Sequence, residues 1–357
     1  MNCEFKKVTG ELCKNKYTKE LNGKKYCTRH FNINVKEEVK EEVKEEVKEK
    51  KIKKSLKSFK SSINNLHKII DILDELDIEY SDIEFINKGT FLYVYKINID
   101  DKEYAIKVQF LNKKIKNVLY YEYLLLMNHL NDSENILKLV DVSIIKKRYY
   151  YKPNEFSILI TELLYGTLTE KKTKYNFSID EIKGIGIQLI KAIEYIHSNK
   201  YLYIDLKPDN IMFDSKNIIK LVDFNACSQY LNCQSEFYEN ILLKNPIGNF
   251  IYSSININKS YSGVRIDDIE SILWVMLYLL DKDIITDIIN QKCLNKLINT
   301  KEKYISNYLL GRDKFIFNFI EELKTYDTIN NKKPNYRKFI NILQNEWFKI
   351  RLNHFVN

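Results

Sequence analysis

The stretch Tyr203-Ile204-Asp205-Leu206-Lys207-Pro208-Asp209-Asn210 sets a carboxylate, an ammonium and an amide at fixed spacings in one short loop. About a dozen residues later, Val222-Asp223-Phe224-Asn225 adds a second carboxylate between apolar neighbours. Asp, Pro and Asn are ordinary turn residues, so the octapeptide alone also suits a surface turn. The two segments together ask for more. Carboxylate and amide oxygens suit a hard divalent cation such as Mg²⁺, and a nearby lysine suits phosphate charge.

Phosphoryl transfer needs little covalent chemistry from a protein. It needs a carboxylate to orient the attacking hydroxyl, cations to absorb phosphate charge, and oxygen ligands for Mg²⁺. Asp205 fits the first role, Lys207 the second, and Asn210 with Asp223 the third.

A chain of 357 residues is long enough for a domain of about 280 residues plus an appendage. The longest apolar run, Ile272 to Leu280, is too short to span a bilayer. Met1-Asn2-Cys3-Glu4 lacks the shape of a signal peptide. An intracellular, cytoplasmic location without membrane contact is therefore expected. The net charge of +9 is unevenly placed: residues 1–60 hold 18 Lys/Arg against 10 Asp/Glu, or +8. Any contact with nucleic acid or another polyanion is expected to run through this basic N-terminal segment.

Six cysteines at this length do not suggest a disulfide scaffold. Cys3, Cys13 and Cys27 with His30 make a tetrahedral Zn²⁺ set, and a segment so short could not bury enough core to fold without a metal. Residues 1–30 are read as a Cys3His zinc element, with unligated cysteines in a disordered tail as the other reading. From Val35 the chain repeats Lys-Glu-Glu-Val four times, the last repeat drifting. Like charges recur at i,i+4 and the Val stripe winds round a helix, so no face is broad enough for a core. Residues 31–64 are read as a charged linker, helical or not.

Residues 65–165 read as a β-rich lobe. Ile86 to Tyr95 has the rhythm of strand, turn and strand around Gly89, Tyr104-Ala105-Ile106-Lys107 supplies the next strand, and Ser157 to Leu164 reads as a buried strand entering a connection. Glu122 sits in a helix-like segment, Leu119 to Met127. Residues 166–357 read as a helical lobe. Ser178-Ile-Asp-Glu181 is a capping-box signature, followed by a stripe of Ile182, Ile185, Leu189, Ile193 and Ile196.

In this order the motifs resemble a protein kinase, and Gly248-Asn-Phe-Ile-Tyr-Ser-Ser254-Ile255-Asn256, Arg265-Ile-Asp267-Asp268 and Glu162-Leu163-Leu164-x-Gly166-Thr167-Leu168 resemble the casein kinase 1 group, which includes the vaccinia-related and poxvirus-type enzymes. The resemblance spans about residues 80 to 345, ending near Lys333-Pro334-Asn335-Tyr336. It implies an α+β two-lobed fold and a Ser/Thr protein kinase acting on protein hydroxyls with Mg-ATP. Asp205 would be the catalytic base, with Lys207 on the γ-phosphate and Asn210 and Asp223 on magnesium. Gly89, Val94, Ala105, Lys107 and Met212 would surround ATP, Glu122 would hold Lys107, and backbone groups at Glu162 and Leu164 would bind adenine in front of Thr161. Asp268 would anchor the catalytic-loop backbone.

The departures from that family are specific. Asn87 and Leu92 stand where the first and third glycines of the phosphate loop are expected, so Leu92 stiffens and crowds the loop. Tyr203 replaces a His that an aromatic can substitute, and Ile204 replaces the Arg that would bind an activation-loop phosphate. Asn225 replaces a Gly, and Asn tolerates a left-handed backbone. These departures also suit a pseudokinase scaffold with a weakened nucleotide site. The N-terminal segment resembles short Cys3His elements in proteins of large DNA viruses, and the heavy use of Ile, Asn, Lys and Tyr suggests an AT-rich genome. Together with the family resemblance these imply a large DNA virus, with a viral factory or virion as further locations.

Overall fold

The computed structural model describes residues 66–89, 92–141, 147–232, 234–280, 282–291, 293–307, 313–329 and 331–353, together with two short strands near the N-terminus. Two compact units, Met1–Glu79 and Tyr80–Asn357, make up the chain. In the first, Lys19–Leu21 pairs antiparallel with Lys24–Tyr26, and residues 66–75 form a helix with Ile69, Ile72 and Leu73 buried. Cys3, Cys13, Cys27 and His30, the expected zinc ligands, lie outside the described residues, as do the Lys-Glu-Glu-Val repeats.

The second unit opens with five antiparallel strands: β1 (Asp82–Lys88), β2 (Tyr93–Ile99), β3 (Lys102–Phe110), β4 (Tyr149–Lys152) and β5 (Phe156–Glu162). Their order in the sheet is β1-β2-β3-β5-β4. On β2, Tyr95, Ile97 and Ile99 are buried while the residues between them are half-exposed, the period of a strand with one covered face. On β5 every residue from Phe156 to Thr161 is buried. Helix α1 (Val118–Asn128), which packs on β3 and β5, accounts for the second covered face.

The helical lobe follows. Helix α2 (Leu168–Lys174) starts at a Thr167/Glu170 capping box, and α3 (Ile179–Ser198) at the expected Ser178/Glu181 box. All five residues of the apolar stripe on α3 are buried. Helix α4 (Ile255–Asn258) is short; α5 (Arg265–Leu280) is buried nearly all round and forms the centre of the lobe. Helices α6 (Lys282–Ile289), α7 (Leu294–Asn307), α8 (Lys314–Leu323) and α9 (Tyr336–Asn353) complete it. Gly186 on α3 makes that packing fit: a Cβ there would meet Met276 Sδ at 2.8 Å and Leu343 Cδ1 at 2.9 Å. The apolar run Ile272 to Leu280 is thus core, and no helix among the described residues is long and apolar enough to cross a membrane.

Candidate active site

Strand register puts Lys107 on β3 between Val94 on β2 and Leu159 on β5, and Ala105 opposite Thr161. Lys107 Nζ donates to Glu122 Oε1 at 2.7 Å. The Glu122 side chain is 1% exposed and the Lys107 side chain 13%. A carboxylate so deeply buried is tolerated because the ammonium answers it. Helix α1 is placed by side chains that sequence reading did not single out. Buried Gln109 accepts Val118 N–H at 2.9 Å and donates to Lys116 O at 2.8 Å. Asn117 caps the helix by accepting Tyr120 N–H at 3.2 Å, and receives the Ser157 hydroxyl at 2.9 Å. The cap was legible as an Asn preceding an apolar helical run; the tie to β5 was not.

The connection after β5 uses some of the groups expected at adenine. Glu162 N–H donates to Lys138 O at 2.9 Å, and the Glu162 side chain accepts Lys138 N–H at 2.8 Å and faces Lys220 Nζ at 3.3 Å. The Glu162 carbonyl accepts Thr161 Oγ1 at 3.2 Å and keeps a second lone pair. Leu164 packs on the core, and half-buried Met212 bridges to Thr167. At the opposite edge, the Gly89 amide donates to Leu92 O at 2.8 Å and closes the β1–β2 turn. Residues 90 and 91 lie outside the described residues.

The loop after α3 is held from beneath by Asp268 on α5. Asp268 Oδ1 accepts Ile204 N–H at 2.8 Å, and Oδ2 accepts Tyr203 N–H at 2.8 Å and sits 2.9 Å from His197 Nε2. This anchoring lets Ile204, a β-branched residue, stand at φ +70°. Its side chain packs with Leu202, Tyr230 and Ile257. An apolar cluster thus occupies the position where an arginine would take a phosphate. Gly248, itself at φ +73°, comes so close that a Cβ would lie 3.2 Å from Ile204 O.

Above this anchor, Asp205 Oδ2 receives Lys207 Nζ at 2.5 Å and Asn210 Nδ2 at 3.1 Å. Asn210 Nδ2 also donates to Asp205 O at 2.9 Å, so the Asn210 amide oxygen is left facing away from the knot. Asp223 stands at φ +61°, and Asn225 Nδ2 donates to its Oδ1 at 2.7 Å. The left-handed backbone expected at Asn225 is therefore found two residues earlier, at Asp223. Asx side chains bond readily to backbone and polar groups two residues away, which is the signal that could have revealed this contact. A cavity of about 490 Å³ is lined by Asp205, Lys207, Asp223 and Asn225 below and by Gly89 and Leu92 on the opposite side. Among the described residues no cluster of His, Cys, Asp and Glu is arranged as a complete metal cage. The oxygens of Asn210 and Asp223 suit Mg²⁺, which takes few protein ligands and completes its shell with water and phosphate.

The sequence pattern of the protein kinase domain matches residues 80–330. A probable casein kinase I homolog of Encephalitozoon cuniculi (strain GB-M1) is 27% identical over 282 residues, 76% of this chain and 85% of that one. The matched span starts at the first residue of the second unit and includes the lysine–glutamate pair, the anchored loop and both cavity-facing carboxylates. The chain belongs to the protein kinase family.

Proposed function

We propose that the chain is a Ser/Thr protein kinase that transfers the γ-phosphoryl group of Mg-ATP to protein hydroxyls. One observation carries this reading: Asp205, Lys207 and Asp223 line one cavity opposite the β1–β2 turn. Within the second unit, the strands up to residue 165 would supply the nucleotide lobe and the helices after it the C-lobe. Protein kinases use ATP and Mg²⁺, and a bound magnesium would offset the negative charge on the phosphates during transfer. Asn210 Oδ1 and Asp223 would hold it. Lys107, steadied by Glu122, holds the α- and β-phosphates, and Gly89, Val94, Ala105 and Met212 enclose the nucleotide with the Glu162 carbonyl and Leu164 at adenine. Asp205 keeps one oxygen on Lys207 and Asn210, so Oδ1 is the atom that orients the incoming hydroxyl and takes its proton. Lys207, two residues on, steadies the γ-phosphate and favours Ser/Thr protein substrates.

Labelled phosphate transfer from Mg-ATP to casein and to the protein itself tests this, with Asp205→Asn and Asp223→Asn as controls. Transfer by the wild type that falls by about 10³ or more in both variants is the expected result. A folded wild type no better than its variants would leave a scaffold in place of an enzyme.

A further inference from the structure

Asp205 and Asn210 share a construction. In each, one polar atom of a forked side chain is tied within the loop, and the other is left for chemistry. Asp223 repeats it: Oδ1 accepts Asn225 Nδ2 at 2.7 Å and lies 3.4 Å from Asn225 N. We propose that Asn225 is a positioning residue that locks the Asp223 carboxylate so that Oδ2 is the oxygen offered to the metal. The inference rests on the kinase reading above.

The reason is rotational freedom. A carboxylate with two free oxygens turns about its last side-chain bond and presents either edge to a cation. An amide donor on Oδ1 restricts that freedom before any metal arrives, and loss of such an outer-shell partner typically costs about 10- to 100-fold in metal affinity. On the N-terminal side of Asp223 the backbone is already held, with Tyr203 Oη on Val222 O at 2.5 Å. On the C-terminal side, Phe224 is buried edge-on to Tyr203 with ring centroids 5.7 Å apart. The side chain of Asp223 is the part left to orient, and exposed Asn225 reaches it from the cavity rim. A glycine at 225 would supply no such donor.

The test is a Mn²⁺ titration of the full chain with a non-hydrolysable ATP analogue, read by the electron spin resonance of free Mn²⁺, for wild type, Asn225→Ala and Asn225→Gly. Both variants should bind Mn²⁺ about 10-fold more weakly or worse, and the Mg²⁺ needed for half-maximal phosphate transfer should rise in step. Affinity for the nucleotide without metal should stay as in the wild type. A wild type that transfers phosphate while Asn225→Ala binds Mn²⁺ equally well would overturn the positioning role alone. A wild type that neither binds Mn²⁺ with nucleotide nor transfers phosphate would overturn the kinase reading and this inference with it.

Discussion

The hydroxyl of Tyr203 donates to the carbonyl oxygen of Val222 at 2.5 Å, tying the loop that carries Asp205 to the segment that carries Asp223. Burial drives the Tyr203 hydroxyl well above the ordinary phenol range, so it stays protonated and remains a donor. One buried hydrogen bond therefore couples the two segments that carry the cavity-facing carboxylates.

Tyr203→Phe keeps the ring in the core and removes this bond. The Val222 carbonyl is left without its partner, at a cost of about 1–3 kcal/mol. A drop of several degrees in melting temperature is expected, with kcat reduced more than the KM for ATP is raised. Calorimetry and steady-state kinetics check it; equal changes in both kinetic constants would argue against the link.

Lys107→Met strands the buried Glu122 carboxylate, which should cost about 3–5 kcal/mol. Adding Glu122→Gln removes the stranded charge. The double variant should recover much of the stability and none of the activity, so denaturant titration and phosphate transfer should part company. If the two recovered together, the pair would not be needed for chemistry.

Burial pushes the Asp267 carboxyl up to about 7, against the hydrogen bonds from Val264 N–H and Asn256 Nδ2 that favour its charge. A raised folded pKa stabilises fully below the unfolded value near 4, and that stability is lost as pH rises toward 7. Across this window the loss is at most about 4 kcal/mol. Asp267→Asn, which stays neutral, should flatten the slope between pH 4 and 7 relative to wild type in urea titrations. An unchanged slope would place the titrating group elsewhere.

Lys301 is fully buried, and burial brings its ammonium down to about 7 despite the charge of Glu270. Its Nζ donates to Phe250 O at 3.2 Å, Ser253 O at 2.5 Å and Asn258 Oδ1 at 2.9 Å. Lys301→Met fills the space but leaves these acceptors unpaired, and a loss of about 2–4 kcal/mol is expected. Hydrogen exchange should quicken first in residues 250–258. Uniform quickening across the lobe would contradict a local role.

Groups whose work is local were legible in sequence. The Ser178/Glu181 box and the Ile182-to-Ile196 stripe involve neighbours three or four residues apart, and their spacing alone sets helix and face. The carboxylates, amide and ammonium of Asp205, Lys207, Asn210 and Asp223 were likewise visible as a group, and the structure ties Asp205 to Lys207 and Asn210. What depends on partners far along the chain was not legible from spacing. Lys301 reads as one more helix lysine until α7 folds against residues 250–258, and the anchoring by Asp268, which the structure shows, came from the family resemblance and not from spacing. The Gly89 amide closes the β1–β2 turn on Leu92 O, a use that spacing did not announce. Sequence by itself determined which chemical groups the chain owns and which local elements they sit on. Tertiary structure decided which of those groups are spent on holding the protein together and which are left free, because burial obliges every polar atom to find a partner and no spacing rule says which one it will be.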